Sequence, residues 1–139
     1  MKAISLWQPW GIFIPLLLKE FETRSWYTSH RGQIAIHAAK RWTRDEQIFA
    51  AQFTRQFRSD LTLDQINQIM NPPLGAVLCI CNLTECLPTR GLKVSDLERA
   101  VGNYAPYRFA WKLELVEVFE KPIPAAGKQG LWFWERPAA

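Results

Sequence analysis

The sequence predicts an α+β fold, a small mixed β-barrel with helices inserted around it, and three observations carry that prediction. Five or six short segments alternate, or run apolar, in the manner of strands. Three Ser/Thr-led capping boxes open helical patterns between them. The 139 residues supply about one core's worth of chain, so a single domain over residues 1–139 is expected. Hydrophobic residues make up 48% and charged residues 22%, a globular balance with no low-complexity tract to suggest a disordered arm.

Met1 to Leu6 reads as a first strand. Gln8-Pro9-Trp10 then opens a helical stretch to Leu18, in which Pro15 predicts a kink or an irregular turn. Glu20 to Trp26 alternates in period two, with Glu20, Glu22, Arg24 and Trp26 on one face and Phe21 and Thr23 on the other. Arg31-Gly32 turns the chain into Gln33 to Ala38, where Ile34 and Ile36 oppose Gln33, Ala35 and His37.

Thr43 to Glu46 is a capping box, followed at helical spacing by Ile48, Phe49, Phe53 and Phe57; Thr62 to Gln65 opens a shorter helix that Asn71-Pro72-Pro73 ends. Gly75 to Leu87 is apolar on both faces, the pattern of a central strand. Ser95 to Glu98 is the third box, with Gly102 as its stop. A long strand from Arg108 to Phe119 buries Phe109, Trp111, Leu113 and Leu115. Lys121-Pro122-Ile123-Pro124 should break it, and Leu131 to Trp134 should close the sheet.

The formal charge is +4 and the pI near 9.2, which suits a polyanionic partner, yet there is no dense Lys/Arg block of the kind that coats a duplex. Seven Trp in so short a chain fit an aromatic barrel core or a surface that stacks on bases. The apolar run Ile12 to Leu18 is too short to span a bilayer, and no small-residue cleavage site follows it, so no membrane association and a cytoplasmic location are expected. Three cysteines do not make a disulfide set, and none lies at zinc spacing from a His or a second Cys pair. We expect them as small buried hydrophobes, with no metal and no cofactor.

Lys19, Glu22 and Arg24 sit at a helix-to-strand junction where a change of direction would bring all three into one pocket. Their chemistry is complementary: a planar fork for phosphate or carbonyl, a tunable amine, and a proton acceptor. Spacing alone equally describes a surface salt-bridge ladder.

The run Lys2-Ala3-Ile4-Ser5-Leu6-Trp7-Gln8-Pro9-Trp10, then Lys19 to Trp26, Arg31-Gly32 and Ile34 to Lys40, with Phe109-Ala110-Trp111 and Pro122 to Trp132, resembles the ASCH domain family of the PUA-like superfamily. Of that family's Gly-x-Lys-x-x-Glu-x-Arg pattern the chain keeps Lys19, Glu22 and Arg24, with Leu17 where the family usually has Gly. The resemblance implies a β-barrel with a cleft between barrel and helices, Lys, Glu and Arg at its floor, and RNA or a modified nucleoside as ligand. Some relatives are enzymes: one branch looks like amidohydrolases acting on N4-acetylcytidine, another shows ribonuclease activity. The amidohydrolase branch has Thr at the Glu22 position, and Glu98 is the nearest counterpart of its helical Glu.

The leading expectation is therefore a domain that binds single-stranded RNA or a modified nucleoside, with Arg24, Trp7, Trp10, Trp26, His37, Lys40 and Tyr104 as ligand contacts and Tyr104 with Tyr107 as a lid. A small hydrolase using Lys19 and Glu22 is the alternative. A third reading is a protein-interaction module that docks a partner on Phe49, Phe53 and Phe57, and it requires that stripe to be exposed.

Overall fold

A computed structural model describes residues 1–138. Its six strands form one mixed sheet, curled into a half-barrel, in the order β2-β5-β4-β3-β1-β6. The strands are β1 (Lys2–Leu6), β2 (Phe21–Arg24), β3 (Gly32–Ala38), β4 (Ala76–Pro88), β5 (Phe109–Pro124) and β6 (Leu131–Phe133). Around them lie α1 (Trp10–Phe13), α2 (Arg44–Gln56), α3 (Leu63–Met70) and α4 (Asp96–Ala100). Among the described residues only β1 and β3 pair in parallel; the chain runs from one to the other through α1 and β2.

The alternation read from sequence sorts side chains onto two buried faces. Ile4, Leu6, Ile34, Ile36, Cys79, Cys81 and Trp111 join α1, α2 and α3 in the main core, while Ala3, Ala35, Val77, Ile80, Trp132 and Trp134 form a smaller cluster. β4 is buried on both faces from Ala76 to Cys81, which is why that run is apolar. All three cysteines are free and buried, as expected of small hydrophobes.

Three expectations need correction. β5 does not end at Phe119 but continues through Pro124, pairing Ile123 with Val77 and Pro124 with Ala76. The prolines are tolerated because β2 covers only Phe109 to Lys112 of β5; beyond that point β5 pairs on one side only, and a missing N–H on the free side breaks no ladder bond. The helix expected from Trp10 to Leu18 is a single turn, Trp10–Phe13, followed by turns. Here Leu17, which stands where the resemblance implies Gly, adopts φ 62°, the left-handed conformation that favours glycine.

The third correction removes the protein-docking reading. Phe53 and Phe57 are buried and Phe49 packs against the core, with Phe49 4.7 Å from Trp10 and Phe53 4.7 Å from Phe13 between ring centroids. The stripe is the surface that fastens α2 to the sheet. Among the described residues no helix is long and apolar enough to cross a membrane.

Candidate functional site

The left-handed turn at Leu17 reverses the chain between α1 and β2. The Phe13 carbonyl accepts hydrogen bonds from the N–H groups of both Leu18 (2.9 Å) and Lys19 (3.2 Å), closing the turn. Lys19 is thereby swung into line with the β2 side chains. Its Nζ lies 3.2 Å from Glu22 Oε1, and Arg24 Nε donates to Glu22 Oε2 at 2.8 Å. The three charges thus form one string, cation–anion–cation, with a carboxylate oxygen committed to each side.

The string is deeply set at one end and open at the other. Side-chain exposure is 1% at Lys19, 9% at Glu22 and 25% at Arg24. Lys19 also donates to the Val101 carbonyl at 2.9 Å, which ties β2 to the end of α4, and Arg24 Nη2 donates to the Ser5 carbonyl at 3.0 Å, which ties it to β1. The surface ladder allowed by spacing is excluded by this burial. Both polar partners of the Lys19 amine are acceptors, so the group serves them as a donor.

A cavity of about 560 Å³ lies over the string, between the sheet and the segment from Ala100 to Asn103. Trp7, Trp10, Lys19, Glu22, Arg24 and Arg108 line it. A second cavity of about 780 Å³ adjoins it, the two sharing Ser5, Trp7 and Arg24, and carries Lys40, His37 and the Ala125 to Gly130 loop. The two cavities meet at Ser5, Trp7 and Arg24, which line both. Trp7 stands there half exposed (53%), with the Arg41 guanidinium 4.2 Å above its ring. That stack holds the indole as a platform.

His37 is held by both ring nitrogens. The Ala125 carbonyl, 2.7 Å from Nε2, can only accept, so Nε2 carries the proton; Nδ1 then accepts from the Ser5 hydroxyl at 2.9 Å, and Ser5 Oγ accepts from Trp132 Nε1 at 3.1 Å. Burial lowers the His37 pKa from 6.5, the Ala125 hydrogen bond opposing it. This is a neutral structural histidine. Gly127 is required beside it, since a Cβ there would fall 2.5 Å from Ser5 Oγ and 2.6 Å from His37 Cε1.

Glu98 does not complete the third capping box. Ser95 Oγ accepts from Glu98 N at 3.1 Å, but the Glu98 carboxylate turns away and accepts from Glu20 N at 2.7 Å. Burial pushes its pKa up, while the backbone N–H groups of Glu20 and Phe21 and the Lys19 charge pull it down. Glu98 thus ties α4 to the backbone at Glu20, next to Lys19 in the chain.

Lys19, Glu22, Arg24, Trp7 and Trp10 meet in the first cavity; His37 and Lys40 line the second. Trp26 lines neither: its ring sits edge-on to Trp111 at 4.7 Å and its carbonyl accepts from Trp111 Nε1 at 3.4 Å. Tyr104 is on the far side of its loop, with its hydroxyl donating to Glu98 Oε2 at 3.4 Å, so it does not cover the cleft. Arg108, Ser5 and the Val101 carbonyl were not anticipated. A lone cation opening a strand and a single hydroxyl in an apolar one are the faint signals they leave.

The sequence profile of the ASCH domain matches residues 4–123, which includes the whole string. The chain belongs to the ASCH domain family. Among curated proteins it is similar to activating signal cointegrator 1 of Homo sapiens, 26% identical over 94% of this chain and 22% of that protein. Its similarity to the Mus musculus activating signal cointegrator 1 is 30% identity over 61% of this chain and 14% of the relative. The chain therefore spans less than a quarter of these relatives. Among the described residues no cluster of three or more His, Cys, Asp or Glu is placed to hold a metal ion.

Proposed function

We propose that this ASCH domain binds single-stranded RNA along the cleft that runs over the Lys19-Glu22-Arg24 string. The observation that carries the reading is the pairing of a half-exposed, cation-stacked Trp7 with a guanidinium at the cleft floor: Arg24 commits Nε to Glu22 and Nη2 to Ser5, and its outer edge faces the cavity. A base stacks on the indole while its phosphate meets Arg24, with Arg108, Lys40 and Lys128 along the walls. Of the charge of the string, one positive unit remains after Glu22 neutralises its equal. A second cavity shares Ser5, Trp7 and Arg24 with the one over the string, and room beyond a single base favours a strand over a free nucleoside.

Binding draws on these side chains as they stand: each Glu22 oxygen faces a cation and the Lys19 amine reaches a carbonyl and a carboxylate, so the string is held as a fixed charged floor. The test is an anisotropy titration with a labelled single-stranded oligoribonucleotide of about eight nucleotides, comparing the parent with Trp7→Ala. Saturable binding weakened about tenfold by the substitution supports the reading. An absence of binding at low salt refutes it.

A further inference from the structure

On the opposite side of the loop from Gly102 to Arg108 lies another cavity, of about 640 Å³, that the string and the cleft do not use. Thr89, Arg90, Gly91 and Lys93 form one wall, Tyr104, Pro106 and Tyr107 the other, and Arg99 of α4 the third. The two loops are clipped together by Thr89, which is buried, with its hydroxyl 2.9 Å from the Ala105 carbonyl and its N–H donating to the Arg108 carbonyl at 3.0 Å. The cavity is therefore set by hydrogen bonds rather than by loose surface chains.

Its chemistry is one-sided. Arg90, Lys93 and Arg99 are exposed, none forms a salt bridge among the described residues, and no carboxylate lines the cavity. The acids nearest on α4 are Asp96 and Glu98, and the Glu98 carboxylate is turned away to Glu20. The aromatic side is equally specific. Tyr104 is seated on Gly102, where a Cβ would meet its ring at 2.7 Å, and Arg99 lies 5.4 Å from its centroid. Tyr107 holds a left-handed backbone, φ 64°, and leaves its side chain 87% exposed. A non-glycine residue in that region costs about 1 kcal/mol or more, and here the cost is met with no packing in return.

We infer that this cavity is a second nucleotide subsite, where Arg90, Lys93 and Arg99 take a phosphodiester and Tyr107 stacks a base of the same RNA strand that occupies the cleft. The inference rests on the RNA-binding reading above. The loop between the two sites is a narrow ridge whose Asn103 and Arg108 line the cleft and whose Tyr104 and Tyr107 line the second cavity. Arg108 reaches Thr23 and Asn103 carbonyls through Nη2 and Nε, both at 3.2 Å, so it stands fixed at the crossing. A strand leaving the cleft passes it and meets the three unpaired cations.

The experiment titrates one labelled single-stranded oligoribonucleotide, at several salt concentrations, against the parent, Trp7→Ala, Tyr107→Asn and the double variant Arg90→Gln/Lys93→Gln. Asn is chosen because it tolerates the left-handed backbone while removing the ring. All four positions are exposed, and equal urea midpoints verify that each variant is folded. Tyr107→Asn is expected to weaken binding about tenfold, and the double variant to reduce the slope of log K against log salt by about 0.7 for each phosphate that is no longer neutralised. If both bind with the parent's affinity and slope while Trp7→Ala is impaired, the second subsite is refuted and the cleft reading stands. If the parent does not bind the strand, the cleft reading itself fails and takes the subsite with it.

Discussion

Replacing Glu22 by Gln removes one charge from the middle of a buried cation–anion–cation string, and the fold should register it strongly. Lys19 Nζ and Arg24 Nε lie 3.2 and 2.8 Å from the two carboxylate oxygens. At an effective dielectric near 20, unit charges about 3 Å apart attract by about 5 kcal/mol before desolvation is subtracted. The Arg24 end is a quarter exposed and recovers part of its loss from water, whereas Lys19, with 1% of its side chain exposed, does not. Gln keeps a carbonyl to accept one of the two hydrogen bonds. The expected cost is about 3 kcal/mol, the low end for breaking a buried pair.

Urea denaturation of Glu22→Gln, Lys19→Met and the double variant reads the effect directly. Losing the ammonium and the carboxylate together should cost clearly less than the sum of the single losses, with a coupling of about 2 kcal/mol. A Glu22→Gln cost below about 1 kcal/mol, or additive single effects, would refute the claim that the string behaves as one buried unit.

Other consequences follow from the same geometry. The His37 pKa is lowered in the fold, so its contribution to stability is present above the unfolded value near 6.5 and is lost as pH falls through the lower folded value; His37→Gln should flatten that acid-side loss in denaturation midpoints measured across pH. Gly127→Ala should destabilise by about 1–3 kcal/mol and speed amide exchange in the Ala125 to Gly130 loop, because its Cβ overlaps Ser5 and His37. At Leu17, with φ 62°, Leu17→Gly should leave stability within about 0.5 kcal/mol of the parent, whereas the β-branched Leu17→Val should cost about 1 kcal/mol or more in the same assay.

The strands were legible because burial on this sheet is decided by alternation. Ile34 and Ile36 against Ala35 and His37 placed β3 correctly on two faces, and the unbroken apolar run of β4 announced its central place. The elements misread were those where a non-local partner outweighs a local signal. Pro122 and Pro124 say stop, yet β4 pairs with this part of β5 from one side and needs nothing from the other. Glu98 sits at a capping-box position, yet the backbone N–H of Glu20 is the partner its carboxylate takes.

The candidate site was legible in its charges and not in its walls. Lys19, Glu22 and Arg24 carry a spacing that a strand face and one reversal bring together, whereas Leu17 in place of Gly gave no sign of the left-handed turn it adopts there. Trp26 shares the period-two face in sequence, but β2 ends at Arg24 and the bend beyond it turns the ring to Trp111. Arg108 and the Val101 carbonyl reach the cleft through loops whose path depends on Thr89 and Gly102, and no periodicity encodes that path.

Whether RNA lies over the charged string beside Trp7 is read without intermediaries by chemical-shift mapping. On titration with a single-stranded oligoribonucleotide, the indole N–H resonances of Trp7 and Trp10 and the amides of Val101, Gly102 and Asn103 should move first and furthest. Shifts confined to α2 and α3, with those signals unmoved, would contradict it.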